Sequence, residues 1–229
     1  NLKIIVNAHV QKLNFNNNTV DSVSFFTGDK LNHIKVNKEA ILSAGAIGSP
    51  HLLQISGIGD GEKIKKHGIE VVHELKGVGK NLQDHLMFRP VYKLKNIKSL
   101  NRDVESLYSK FLMGLQYIFK QSGPITMGAS QVCAFTKSDP SRATPNLQFH
   151  VQPLSTDILG VTPMHDFEGI TPTVANIRPS SRGEINISSN DSRDNPKIKM
   201  NYLSTEDDRI VAAEGLKLVR KIILETETF

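Results

Sequence analysis

Residues 39–59, EAILSAGAIGSPHLLQISGIG, hold the residue types whose spacing is most suggestive of chemistry. The apolar run Ala40, Ile41, Leu42 predicts a short strand, and the small residues Ser43, Ala44, Gly45, Ala46 and Gly48 follow it directly. Ser49-Pro50 then predicts a helix start and Gly57 its end. Small side chains where a strand meets a helix let another molecule approach the backbone, and the free N–H groups of a helix N-terminus suit an anion such as a pyrophosphate. The chemistry indicated is nucleotide-cofactor binding, although the same turn also serves plain packing in many α/β proteins.

The order Gly45-Ala46-x-x-Ser49-Pro50-x-Leu52-Leu53-x-x-Ser56-Gly57-Ile58-Gly59 is longer and more specific than such a turn requires. It resembles the second signature of the glucose–methanol–choline (GMC) family of FAD-dependent oxidoreductases. The loop of residues 77–85, GVGKNLQDH, and residues 178–183, RPSSRG, resemble later family segments in the same order, as do Asn195-Pro196 through Tyr202-Leu203. Residues 148–154, QFHVQPL, are most similar to the choline- and alcohol-dehydrogenase-like branch.

The resemblance implies a fold that is α/β plus α+β: part of an FAD-binding dinucleotide-type domain over residues 1–88, then a substrate domain with an antiparallel sheet over 89–203. Residues 204–229 would form a helix leading towards the C-terminal catalytic part. It further implies FAD as cofactor and hydride transfer from a primary alcohol to the flavin. Val10 would read the adenine through its backbone, and Ser43, Ala44, Gly45 and Ser49 would lie near the adenosine or pyrophosphate. Asn81 and Asp84 would hold their loop beside the flavin. Val10 reads equally well as a buried strand valine, and Asn81 and Asp84 as makers of turn hydrogen bonds. The family's base, a histidine paired with a second His or an Asn, would fall beyond Phe229, so no catalytic base is expected here. Neither His85 nor His150 is assigned that role.

The elements that must position these groups are read from local pattern. Residues 2–15 and 20–26 alternate as strands around an Asn16-Asn17-Asn18 turn, and residues 33–37 give a third strand; Ile4, Val6, His9 or Val10, and Leu13 are candidates for burial. The opening Asn1-Leu2-Lys3-Ile4-Ile5-Val6 looks like mid-strand, and both ends of the chain look cut. Leu107, Phe111, Leu112, Leu115, Ile118 and Phe119 recur at helical spacing from Val104 onward, which core packing explains without a cofactor. Residues 131–135, 147–154, 173–177 and 184–188 read as strands of the second domain's sheet. In residues 147–154 the alternation puts Leu147, Phe149 and Val151 on one face and Gln148, His150 and Gln152 on the other. In the resembled family that sheet lines the substrate cavity, so His150 is the candidate substrate contact. Ser204-Thr205-Glu206-Asp207 caps a final helix with Val211, Leu218, Val219, Ile222 and Ile223 on its buried face.

Composition narrows the remaining classes. At 229 residues and 38% hydrophobic the chain can bury a core. The net charge of +5 is spread without aromatic interleaving, which argues against nucleic acid, and the Lys63, Lys65, Lys66 group reads as a solvated helix face. Cys133 is the sole cysteine and reads as buried and inert, so no internal disulfide and no Cys-based metal cage can form. The histidines lack ligand spacing and no metal is expected. The partners expected are a small alcohol substrate and an electron acceptor, oxygen or quinone-like, with no transmembrane segment in these residues and a cytoplasmic or membrane-peripheral setting. A quaternary ammonium substrate such as choline would want aromatic faces or a carboxylate. The chain has no Trp and carries Lys93 and Lys95 beside Tyr92, so a neutral aliphatic or aromatic alcohol fits better. The competing reading is a truncated, non-catalytic remnant or binding protein that keeps the family fold.

Overall fold

Alternating residues on either side of two tight turns build the first sheet. In the computed structural model, which describes residues 2–128 and 130–225, β1 (Ala8–Asn16), β2 (Thr19–Thr27) and β3 (Lys30–Lys35) form an antiparallel meander in that order. Leu13 and Phe25 are its buried side chains. The predicted strands at residues 2–7 and 40–42 are not formed: Leu2, Ile4, Val6 and Ile41 are exposed, and none of them belongs to a ladder. A strand exists by exchanging backbone hydrogen bonds with a neighbour, and among the described residues these segments have none.

Helix α1 (Gly45–Ile55) follows, ending at Ser56, where the Gly57 N–H donates to the Gln54 carbonyl at 3.0 Å. Strand β4 (Ile58–Gly59) lies parallel to β5 (His73–Glu74), and between them α2 (Gly61–Lys65) is capped by Asp60, which accepts from the Lys63 N–H at 3.3 Å.

The second sheet contains β6 (Met87–Phe88), β7 (Tyr92–Lys93), β8 (Val132–Thr136), β9 (Leu147–Gln152) and β10 (Gly169–Asn176), ordered β6-β10-β9-β8 with β7 also on β10, all antiparallel. Two helices precede β8. α3 (Asn101–Glu105) and α4 (Leu107–Lys120) replace the single helix expected from Val104, because Ser106 is extended (ψ 122°) and caps α4 by accepting from the Ser109 N–H. α4 buries no residue, so its apolar stripe is not core, contrary to expectation. The core of this unit is filled instead by α5.

Strands β11 (Glu184–Asn186) and β12 (Lys197–Lys199) pair only with each other as a hairpin. The expectation that residues 184–188 join the second sheet is therefore corrected; side-chain and backbone bonds described below hold them elsewhere. Helix α5 (Glu206–Glu225) closes the described chain and packs Val211, Val219 and Ile223 against Leu147, Phe149 and Val174. Cys133, expected to be buried, is exposed: β8 is the outermost strand of its sheet, and Cys133 stands on the face opposite that core.

These contacts divide the chain into two compact units, Asn1–Gln83 with Ser181–Tyr202, and Asp84–Ser180 with Leu203–Phe229. The chain returns to its first unit over Ser181–Tyr202 after leaving it at Gln83. No helix among the described residues is long and apolar enough to cross a membrane, and no group of His, Cys, Asp and Glu there could hold a metal ion.

Candidate functional site

The first candidate site is built around the start of α1. Gly45 has φ +75°, a conformation that glycine adopts without strain, and the helix begins at this residue rather than at Ser49-Pro50. Pro50 lies inside the helix; lacking an N–H, it cannot bond the Ala46 carbonyl one turn earlier. Ser43, Ala44, Gly45 and Ala46 are exposed and small, no side chain caps the helix, and its first turn carries no acidic residue. The first-turn N–H groups and the helix dipole are thus open to an anion. The half-buried Ser49 hydroxyl accepts from the Ala44 N–H at 3.1 Å, which leaves its own hydrogen to donate.

Beside this helix start, a cavity of about 370 Å³ is bounded by Ala46 and Pro50 on one side and by Gly79, Asn81, Gln83 and Ile185 among its other walls. Directional bonds fix those walls. The Gln54 side chain, only 4% exposed, donates to the Ile185 carbonyl at 2.9 Å and accepts from the Ile187 N–H at 3.0 Å, so an amide on α1 acts as the missing strand neighbour of the β11 segment. Ile185 N–H donates in turn to the Gly79 carbonyl at 2.6 Å. Gly79 has φ +78°, and a Cβ there would collide with the Ile185 carbonyl and the Gln54 amide, so only glycine fits. Leu82 and Gly183 exchange both backbone bonds, at 3.1 and 2.8 Å.

Asn81 and Arg182 tie the same loop to the segment after β10, with Arg182 Nε donating to Asn81 Oδ1 at 2.9 Å. Glu184 accepts from Lys80 and from Lys63, the latter at 3.2 Å. These bonds, Lys80's first and Lys63's second, hold the Glu184 carboxyl down at about 2, and the same pair raises Lys80. The Lys63 ammonium of the supposed solvated face is therefore engaged. Asp84 belongs to the other unit, and its Oδ1 accepts from the His85 N–H at 2.9 Å, a turn bond.

Val10 is 38% exposed and thus not the buried valine that the sequence equally allowed. A register shift between Val10 and Lys12 makes Gln11 a bulge, and β1 is an outer strand of its sheet, so its backbone beside Val10 is not wholly committed to the ladder. Nearby, His9 Nε2 and Ser192 Oγ are 2.9 Å apart, and burial first, then the charge of His9, lowers the His51 pKa.

The second candidate site lies on the sheet of the other unit. Leu147 and Phe149 point into its core, as the alternation predicts, and His150 is half-buried on the opposite face. It stands directly across from Thr173 on β10 and Cys133 on β8. On the same face Arg89 donates to Gln152 Oε1 at 3.0 Å, and Gln152 Nε2 donates to Ser130 Oγ at 3.2 Å. The structure thus brings Ser43, Ala44, Gly45 and Ser49 together at one helix start, puts Asn81 in the adjoining loop and Val10 on β1, and holds Asp84 and His150 in the other unit. Gln54 and Arg89 went unnoticed in the sequence. Gln54 falls on an unspecified position of its motif, and nothing but its polarity within an apolar helix marks it.

Both ends of this arrangement correspond to one family. Residues 1–87 match the N-terminal and residues 179–228 the C-terminal family model described as GMC oxidoreductase. The chain belongs to the GMC oxidoreductase family. Among curated relatives it is 37% identical over 223 residues to an oxygen-dependent choline dehydrogenase of Staphylococcus xylosus, covering 97% of this chain and 39% of the relative. It is also 37% identical over 225 residues to an alcohol dehydrogenase [acceptor] of Pseudomonas putida, covering 97% and 40%. The chain therefore spans about two fifths of the length of these relatives. A formate oxidase of Aspergillus oryzae RIB40, studied for FAD modification, superposes with a TM-score of 0.86 at 22% identity, over 96% of this chain and 43% of the other. That likeness supports the fold.

Proposed function

We propose that the protein carrying this chain is an FAD-dependent oxidoreductase acting on the CH–OH group of a primary alcohol. The observation that carries the reading is the uncapped start of α1, with its small, exposed residues and open N–H groups, beside a cavity whose walls are fixed by Gln54 and Gly79. The residues present fit a dinucleotide. Gly45 and its neighbours leave room for a pyrophosphate, the Ser49 hydroxyl retains a hydrogen to donate to it, and the bulged outer strand offers backbone groups near Val10 to an adenine edge.

FAD, when bound, supplies the acceptor for the hydride that leaves the alcohol carbon. The first unit would hold the cofactor, with Val10 at the adenine, Ser43, Ala44, Gly45 and Ser49 at the adenosine and pyrophosphate, and Asn81 fixing the 77–83 loop through Arg182. Asp84 would shape the turn that follows. The second unit would bind substrate, with His150 donating to or accepting from the alcohol oxygen. The acceptor that reoxidises the flavin is oxygen or a quinone-like carrier. No catalytic base is assigned among the described residues.

The test is to purify the full-length protein and add a primary alcohol without oxygen. The expected outcome is a stoichiometric flavin spectrum that bleaches on addition. A colourless full-length protein would sink the proposal and favour a non-catalytic remnant. In an active enzyme His150→Ala is expected to raise KM for the alcohol, and unchanged KM and kcat would remove His150 from the substrate site.

A further inference from the structure

β6 and β7 are one strand interrupted. Phe88 pairs with Val174 and Tyr92 with Ile170, so both stretches share a single register against β10. That register sets Arg89 opposite Thr173 and Lys93 opposite Gly169. Thr173 in turn faces His150, and His150 faces Cys133. Arg89, Thr173, His150 and Cys133 therefore form one row across the sheet, on the face away from the core, with Lys93 two rungs along the same strand as Arg89.

The charge on this face is one-sided. Arg89's bond is to the neutral amide of Gln152, and the Lys93 ammonium sits 5.5 Å over the Phe167 ring. Neither is in a salt bridge among the described residues. The strand residues that share the face, Gln148, Gln152, Thr171, Thr173 and Cys133, include no carboxylate. Arg89 is half-buried, where a guanidinium without a counter-ion gains most from an incoming anion, and its fork matches a carboxylate.

We propose that this face selects an alcohol that also carries a carboxylate, with Arg89 binding the carboxylate and Lys93 adding to the local positive potential. Strands are spaced about 4.8 Å apart, so Arg89 and His150, two strands apart, stand roughly 10 Å from each other at the backbone. The side-chain groups are closer than the backbones, because Arg89 reaches Gln152 two residues from His150, and that shorter span suits a substrate whose hydroxymethyl and carboxylate groups lie at opposite ends of one aromatic ring or a short alkyl chain. The inference rests on the reading of His150 as the substrate contact, and it changes the expected substrate from a neutral alcohol to an anionic one.

The experiment compares kcat/KM of the full-length holoenzyme for 4-(hydroxymethyl)benzoate, its methyl ester and the trimethylammonium analogue. A charge-assisted bond predicts a preference for the carboxylate of about tenfold or more. Arg89→Gln is expected to shrink the carboxylate-to-ester ratio by a similar factor, and Arg89→Lys to restore part of it. Equal ratios in wild type and Arg89→Gln, or a preference for the ammonium analogue, would overturn the proposal. A second readout needs no turnover: benzoate titrated into the full-length protein should shift the NMR signals of the Arg89 side chain, and benzyl alcohol at the same concentrations should leave them unmoved. Benzoate shifts without any alcohol oxidation would uphold the anion site and sink the oxidoreductase reading. Oxidation of all three alcohols alike with no benzoate shifts would do the reverse.

Discussion

Helices α1 and α5 both lay one face on the rest of their unit, but what they bury differs. α5 buries Val211, Val219 and Ile223 against Leu147, Phe149 and Val174, and a Cβ at Gly215 would lie 3.0 Å from Val174, so the helix sits close on its sheet. α1 buries Leu52 and Ile55 with a polar side chain, Gln54, between them. Burial of apolar area is strong but has no direction, and neighbours that slide a little can still repack. Two hydrogen bonds from one amide to Ile185 and Ile187 fix both distance and orientation. The unit that carries the proposed cofactor site thus sets its cavity walls by directional bonds, and the other unit sets its sheet by packing.

Packing in the second unit is tested by truncating its apolar core. Leu147→Ala should cost about 2–5 kcal/mol in urea unfolding followed by a probe in the second unit, because it empties a fully buried site. A loss below 1 kcal/mol, taking about that as the scale of one buried methylene, would mean that packing does not hold this sheet.

Gln54→Leu tests the other half. It keeps the volume and leaves the Ile185 carbonyl and the Ile187 N–H without their bonds, at a cost of about 1–3 kcal/mol for each buried orphan. The Ile187 amide should exchange with deuterium faster than in wild type, while amides of β9 and β10 keep their protection. Unchanged Ile187 exchange would show that the amide bracket is dispensable.

The smallest effect is electrostatic. Glu184 has its carboxyl lowered from 4.5 to about 2, so its ion pairs contribute stability that is fully present above its unfolded value and is lost as pH falls through the folded one. Wild type should lose its urea-midpoint advantage over Glu184→Gln between pH 4.5 and about 2. Because these side chains are partly exposed, the difference should be modest and should shrink in salt. Parallel midpoints across that range would show that Lys63 and Lys80 only decorate the loop.

Much of this was legible in the chain itself, for reasons specific to each element. Period-two alternation placed β2 and β9, and the capping residues with their apolar stripe placed α5, because those patterns repeat within a few residues. The small-residue run at 43–46 marked the helix start that the structure exposes. The same local reading failed where the answer depended on a distant neighbour. Residues 2–7 and 40–42 have the residue types of strands but no ladder partner among the described residues. α4 has the stripe of a core helix, but α5 occupies the core of its unit. β11 looks like a strand of the second sheet, yet Gln54 and Gly79, more than a hundred residues earlier, claim its backbone.

The family, the class of turn at the start of α1 and the two-faced character of β9 could be read without the fold, since each is written in contiguous residues. Gln54 as a strand neighbour, the pairing of Glu184 with Lys63 and Lys80, and the face that Arg89 and Lys93 share with His150 came into being only when the chain closed on itself. Those are pairings between segments far apart in the chain. A residue's type says what it can bond, but only the closed fold says what stands within about 3 Å of it.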